Sequence, residues 1–167
     1  MFLYGSQMGW FSLSGEVGTY QQFMNSSNQD SVSFLKKLSN FKSLATNYIV
    51  YGRYMKPISL ENKVPLILSL LSYYPSVMVS AWKELEEDNS LALFIGNANG
   101  KEAFIDVSFN LDLSLYGFQN SHLPITVYSV NQNGTSSLFT KLNSLLFSFH
   151  SSVPKRDLLF LKFTSTN

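Results

Sequence analysis

The alternation of apolar and polar side chains is clearest over residues 73–111, and the rest of the chain is organised around that stretch. Val77, Val79 and Ala81 fall on one side of a two-residue period, and Met78, Ser80 and Trp82 on the other. That spacing predicts a strand. Residues 84–89, ELEEDN, break the pattern with charge and turn formers before Leu91, Leu93 and Ile95 resume it, so the two runs predict a hairpin. Asn97, Asn99 and Gly100 supply a second turn signal, because Asn and Gly tolerate the positive φ of tight hairpins. Beyond it, Ile105, Val107, Phe109 and Leu111 alternate with Phe104, Asp106, Ser108 and Asn110. The expectation is a three-stranded antiparallel meander with one face to bury, and a second sheet is the natural cover.

Downstream, residues 113–123 carry loop formers around Gly117, and strand-like runs follow at 125–130, 137–141, 145–149 and 158–163. Turn signals at 131–134 and 154–157 separate them. About seven strands at such spacings predict a β-sandwich. Upstream the period changes. Phe34, Leu38, Phe41, Ala45 and Tyr48 recur at three- and four-residue steps, with Leu35 and Leu44 widening the stripe and Lys36, Lys37, Asn40 and Lys42 mainly off it. This is an amphipathic helix, with Asp30 placed to cap its start, a contribution of about 1 kcal/mol, and Gly52 just past its end. Before it lie a short apolar run at 2–4 and a Gly-marked loop; after it, residues 51–65 form a connector containing Pro57 and Pro65. The predicted class is therefore mainly β: an antiparallel β-sandwich preceded by one strand and one helix.

Composition narrows the function classes. The 167 residues suit one ordinary domain, and 45% hydrophobic residues are ample for a core. Charged residues make up only 14% and the net charge is +1, so no basic field exists to draw nucleic acid, and no nucleic-acid partner is expected. Cysteine is absent, which removes disulfides, thiolate metal sites and a Cys nucleophile but leaves the compartment open. Residues 64–82 are uncharged over a span long enough to cross a bilayer. Pro75, Tyr73, Tyr74 and four serines within it argue instead for two elements meeting near Pro75, and a membrane partner is not expected. The opening residues lack the basic n-region of a signal peptide; a soluble protein is expected, leaning toward an extracytoplasmic setting.

Candidate chemistry is sparse. Glu84, Glu86, Glu87 and Asp88 are too contiguous, and lack the Gly turn, of a cation loop, so a solvated hairpin tip is the expectation. His122 and His150 have no partners at ligand or triad spacing. Neither a metal nor any other cofactor is predicted. Trp82, on a strand, reads as a core or interdomain anchor whose loss would cost about 3–5 kcal/mol. Asn25 and Asn133 open glycosylation-type triplets that matter only in a eukaryotic secretory setting. If the sandwich bound carbohydrate independently, Tyr116, Phe118 and Tyr128 would be the candidates for an exposed aromatic row.

Several short stretches carry a resemblance: FLYGSQMGWFSL at 2–13, VYGRYMKP at 50–57, SAWK at 80–83, LALFIGNAN at 91–99, LYGF at 115–118 and VPKRDLLFLKF at 153–163. In this order the chain resembles the C-terminal end of glycoside-hydrolase-like (β/α)8 barrel proteins with an amylase-type β-sandwich, and in particular the uncharacterised family DUF6259. The resemblance implies that residues 1–57 are the last strand-loop-helix unit of a truncated barrel, 58–65 a connector and 66–167 a non-catalytic C-terminal sandwich. Its partner would be the missing barrel portion of the parent chain, and carbohydrate a further candidate. The paired carboxylates of a glycosidase would lie on barrel strands absent here, so no catalytic residue is assigned. Gln7 and Trp10 would open onto the catalytic mouth and are the candidate substrate-binding residues, an indole packing on a sugar ring and an amide bonding its hydroxyls. Glu16 is the one carboxylate in that loop, and a solvated loop glutamate is its default.

Overall fold

The computed structural model describes residues 29–69, 72–85 and 90–165. The helical stripe forms α1 (Gln29–Leu44) and one further turn, α2 (Thr46–Ile49). Phe41, Ala45, Tyr48 and Ile49 are buried and Leu38 packs partly against them, which is the face the spacing marked. Asp30 lies inside the first turn rather than at the cap. Its carboxylate is 3.8 Å from the Lys155 ammonium.

Ten strands follow among the described residues: β1 (Arg53–Tyr54), β2 (Leu66–Ser69), β3 (Ser72–Pro75), β4 (Val77–Lys83), β5 (Ser90–Asn97), β6 (Phe104–Asp112), β7 (Ile125–Val130), β8 (Ser136–Leu142), β9 (Leu146–Pro154) and β10 (Asp157–Ser165). The seven predicted strands are β4 to β10. Together with β1 they build an antiparallel six-stranded sheet in the order β1-β4-β5-β10-β7-β8 and a second sheet of β6 and β9, with β2 and β3 paired as a separate hairpin. The chain is mainly β, as expected. The uncharged run at 64–82 is thus strand on both sides of Pro75, and among the described residues no helix is long and apolar enough to cross a membrane.

The meander does not form as expected. β4 and β5 pair as a hairpin, but β6 leaves for the second sheet and pairs with β9, while β10 takes its place beside β5. The reason lies in the two asparagines at the crossing. Asn97 is buried, and its amide donates to the carbonyls of Val153 and Pro154, each at 3.0 Å, while its Oδ1 accepts from the Asn99 N–H at 2.9 Å. Asn99 in turn accepts from the Lys101 N–H at 2.8 Å, and its carbonyl accepts from the Arg156 N–H at 3.2 Å. These bonds clamp the β5–β6 crossover to the β9–β10 turn, where Arg156 adopts φ 49°.

Both faces of the six-stranded sheet are covered at its centre, while the edge strand β8 is largely exposed. Toward the second sheet, Val77, Val79 and Ala81 of β4, Leu91, Leu93 and Ile95 of β5 and Leu161 and Phe163 of β10 meet Ile105, Val107 and Phe109 of β6 and Phe147 and Phe149 of β9. Toward the helices, Trp82, Ala92, Phe94, Val130, Leu158 and Phe160 meet Phe41, Ala45, Tyr48 and Ile49. Every residue of β5 is buried, because alternate side chains enter two different cores. The helix layer is joined to the sheet at Gly52, where a Cβ would overlap the carbonyl oxygens of Tyr48 and Lys83; only glycine lets the backbones approach this closely.

The connector closes the outer edge of β6. The Glu61 N–H donates to the Ser108 carbonyl at 2.8 Å, the Ser108 N–H to Asn62 Oδ1 at 2.8 Å, and the Asn62 amide to the Asp106 carbonyl at 2.7 Å. A strand edge that would otherwise invite another chain is thereby satisfied.

Candidate functional site

Gln7, Trp10 and Glu16 lie outside the described residues, as do Glu86, Glu87, Asp88 and Asn25. Of the acidic run, Glu84 is described, and it accepts a hydrogen bond from the Asn47 amide at 2.9 Å instead of standing free at a tip. Trp82 is buried between sheet and helices, its indole N–H donating to the Ser80 hydroxyl at 3.2 Å and its ring meeting Tyr54 edge-on at 5.2 Å. It is a core residue of the helix-facing side. His122 turns back on its own loop, with Nδ1 accepting from the Gln119 N–H at 3.0 Å. His150 is exposed on the outer face of β9.

The aromatic row is not a surface feature. Tyr116 and Phe118 are only 3% and 2% exposed and belong to the sandwich core, leaving Tyr128 half-buried on β7. Alternation does not govern that loop: short 3-10 turns at Leu113–Tyr116 and Asn120–His122 fold both rings inward. The Tyr116 hydroxyl still donates to the Lys56 carbonyl at 3.1 Å. Burial, with a smaller effect from Tyr54, pushes its pKa above the ordinary phenol value.

The carboxylates of the second sheet, and Glu61 of the connector beside it, sit on its open outer face. Asp106 accepts from the Ser152 hydroxyl, Glu61 from the Asn110 amide, and Asn110 from the Ser148 hydroxyl. Asp112 accepts from the Ser114 hydroxyl at 2.7 Å and N–H at 3.0 Å, which holds its pKa below the usual carboxylate value. Glycoside hydrolysis needs two acids flanking a bound sugar; these acids face solvent and are already bonded to serine and asparagine. Among the described residues no group of three or more His, Asp or Glu could hold a metal ion.

The described residues also form concavities, of which two are wide enough to receive a ligand or a partner's side chains. A cleft of about 250 Å³ at the start of α1 is lined by Asp30, Ser33, Phe34, Lys37, Lys155 and Arg156, but Lys37 is bonded to Asp157 at 2.8 Å and Lys155 lies near Asp30. Its charges are largely compensated from within. The larger is an open groove of about 620 Å³ between the connector and the base of the β2–β3 hairpin, with Ile58, Leu60, Val64, Leu66, Pro75 and Val77 among its walls and no acid or histidine. Such a lining can seat an apolar surface; its polar members are Ser59, Asn62 and Lys63, with no carboxylate or imidazole among them. Its signal in the sequence was the uncharged run at 64–82.

No protein-family model matches the chain. In sequence it is similar to a Monosiga brevicollis protein provisionally named a glycoside hydrolase, at 25% identity over 153 aligned residues that cover 81% of this chain and 13% of the relative. The chain therefore spans only a small part of that relative's length. Solved structures that overlay on it include a Paenibacillus polymyxa xyloglucanase of glycoside hydrolase family 44 bound to xyloglucan, at TM-score 0.35 and 18% identity over 55% of this chain and 17% of that one. Others are a Bacillus halodurans protein provisionally described as an α-N-acetylgalactosaminidase, at 0.42 and 12% over 79% and 25%, and a protein described only as a glycoside hydrolase, at 0.47 and 8% over 96% and 30%. At TM-scores below 0.5 these overlays carry no weight for fold or function. What the chain has is a sequence likeness to one segment of a longer protein that bears a glycoside hydrolase name.

Proposed function

We propose that this chain is the β-sandwich segment of a longer glycoside-hydrolase-related protein, and that it packs against and stabilises a catalytic (β/α)8 barrel without contributing catalytic groups. The observation that carries this reading is the alignment itself: 153 residues of likeness take up 13% of the relative, so most of such a protein lies elsewhere. The absence of paired acids in a groove, among the described residues, agrees with a supporting role. On this reading residues 1–57 are the last unit of the barrel, with α1 serving both barrel and sheet, residues 58–65 the connector and 66–167 the sandwich; Gln7 and Trp10 line the sugar-binding mouth.

The test is direct. The purified chain is incubated with a panel of aryl and oligosaccharide glycosides, and no turnover above buffer is expected; turnover abolished by a substitution at Glu61 or Asp106 would overturn the reading. The rival, an independent carbohydrate-binding sandwich, loses its predicted aromatic row to the core at Tyr116 and Phe118.

A further inference from the structure

The chain protects its strand edges with care in two places and leaves a third bare. At β8 the register with β7 skips Phe139, a bulge, and Lys141 adds a charge; at β6 the connector's Asn62 fills the edge. Both devices discourage pairing with a foreign chain. The β2–β3 hairpin has neither. Leu66 pairs with Pro75 and Leu68 with Tyr73, so these four side chains share one face, and Leu66, Leu68 and Tyr73 are 62%, 63% and 69% exposed. No charged residue occurs from position 64 to 82. A two-stranded hairpin has little stability of its own, and an uncharged apolar one continuous with a groove lined mainly by aliphatic side chains, with Lys63 its one charge, is a surface made to be covered.

Its position says by what. The hairpin's base is fixed where the Ser76 N–H donates to the Pro65 carbonyl and the Ala98 N–H to the Ser76 carbonyl, each at 2.8 Å. There Val77 of β4, Asn97 of β5 and Asp157 of β10 stand side by side at one end of the sheet. The first half of α1 is held at that same end, by Lys37 on Asp157 and Lys155 near Asp30. Gln29, the first residue of α1, therefore lies at the end of the sandwich from which the hairpin projects. We propose that the Leu66, Leu68 and Tyr73 face of the hairpin, with the groove beside it, is the surface on which the preceding catalytic portion of the longer protein seats, through an uncharged aliphatic and aromatic counter-surface. This rests on the reading given under Proposed function.

Hydrogen exchange on the 167-residue chain and on the longer protein tests it. Amides of the hairpin should exchange freely in the chain and be slowed at least about tenfold in the longer protein. The double variant Leu68→Lys, Tyr73→Asp, which charges the face while keeping the cross-strand pair attractive, should leave the melting temperature of the 167-residue chain unchanged and abolish the added protection. Protection gained on α1 or the sheet but not on the hairpin would overturn this inference and leave the packing reading standing. No gain anywhere, or no longer protein, would overturn both. Concentration-dependent protection in the 167-residue chain alone would make a second copy the occupant and overturn it as well.

Discussion

The two faces of the six-stranded sheet are built differently. The face toward β6 and β9 is a conventional sandwich interior of aliphatic residues and stacked phenylalanines, such as Phe109 on Phe149 at 4.9 Å. The face toward the helices centres on one ring: Phe160 stacks on Phe94 at 4.6 Å and is met edge-on by Phe41 and Tyr48 at 6.4 and 6.2 Å. Polar groups are threaded through it. The Tyr48 and Ser90 hydroxyls bond to each other, and the Lys162 ammonium sits 5.8 Å from the Tyr48 ring. The first face is shared among many residues of two sheets; the second depends on a few aromatic contacts that hold one helix.

That contrast can be broken by substitution. Phe109→Ala and Phe160→Ala should each cost about 3–5 kcal/mol where the lost packing acts. Phe109→Ala should lower the melting temperature of the whole chain. Phe160→Ala should first release the α1 amides to exchange, with β6 and β9 still protected; equal loss in both sheets would show the two faces to be one cooperative unit. Asn97→Ala should cost about 2–3 kcal/mol, measured by urea unfolding, since it strands the Val153 and Pro154 carbonyls and the Asn99 N–H at the junction of both sheets.

Smaller effects sharpen the picture of the sandwich rim. Tyr116→Phe should cost about 1 kcal/mol through the bond to Lys56, and it also changes the pH response. Because the folded pKa is raised, the folded chain keeps the phenol proton that the unfolded chain loses. The contribution is intact below the ordinary tyrosine value and is lost as pH rises through the folded one. Urea midpoints of the parent sequence should therefore fall more than those of Tyr116→Phe between about pH 8 and about pH 10.5. Ser76→Ala should shift stability by no more than about 0.5 kcal/mol and in the favourable direction, because the buried Ser76 hydroxyl has no partner among the described residues.

Strand positions were legible because each of the seven has a two-residue period or an apolar run bounded by turn formers. Pairing was harder to read. The 97–100 stretch has the composition of a tight turn, yet Asn97 and Asn99 spend their side chains on a crossover, and nothing local distinguishes the two uses. The second core was written in β5, where Ala92 and Phe94 are as apolar as Leu91, Leu93 and Ile95; a strand apolar on both sides is covered on both sides. The helix stripe of Phe41, Ala45 and Tyr48 was correct as a face, while the surface it meets is a matter of tertiary packing. Tyr116 and Phe118 escaped because their loop is set by 3-10 turns, whose side-chain directions alternation does not describe. The candidate site is less legible than the fold: Gln7 and Trp10 fall outside the described residues, and the apolar hairpin face carries no chemical signature.

One consequence of the contact at Gly52 reaches past stability. There the turn after α2 lies directly against the end of β4 with no side chain between the backbones, so the spacing of the two is fixed at that one point, while α1 is seated separately by Phe41 and Tyr48 on Phe160. A substitution at Gly52 would therefore act on placement before it acts on folding, moving the helices off the strands as a loosened bolt moves a handle.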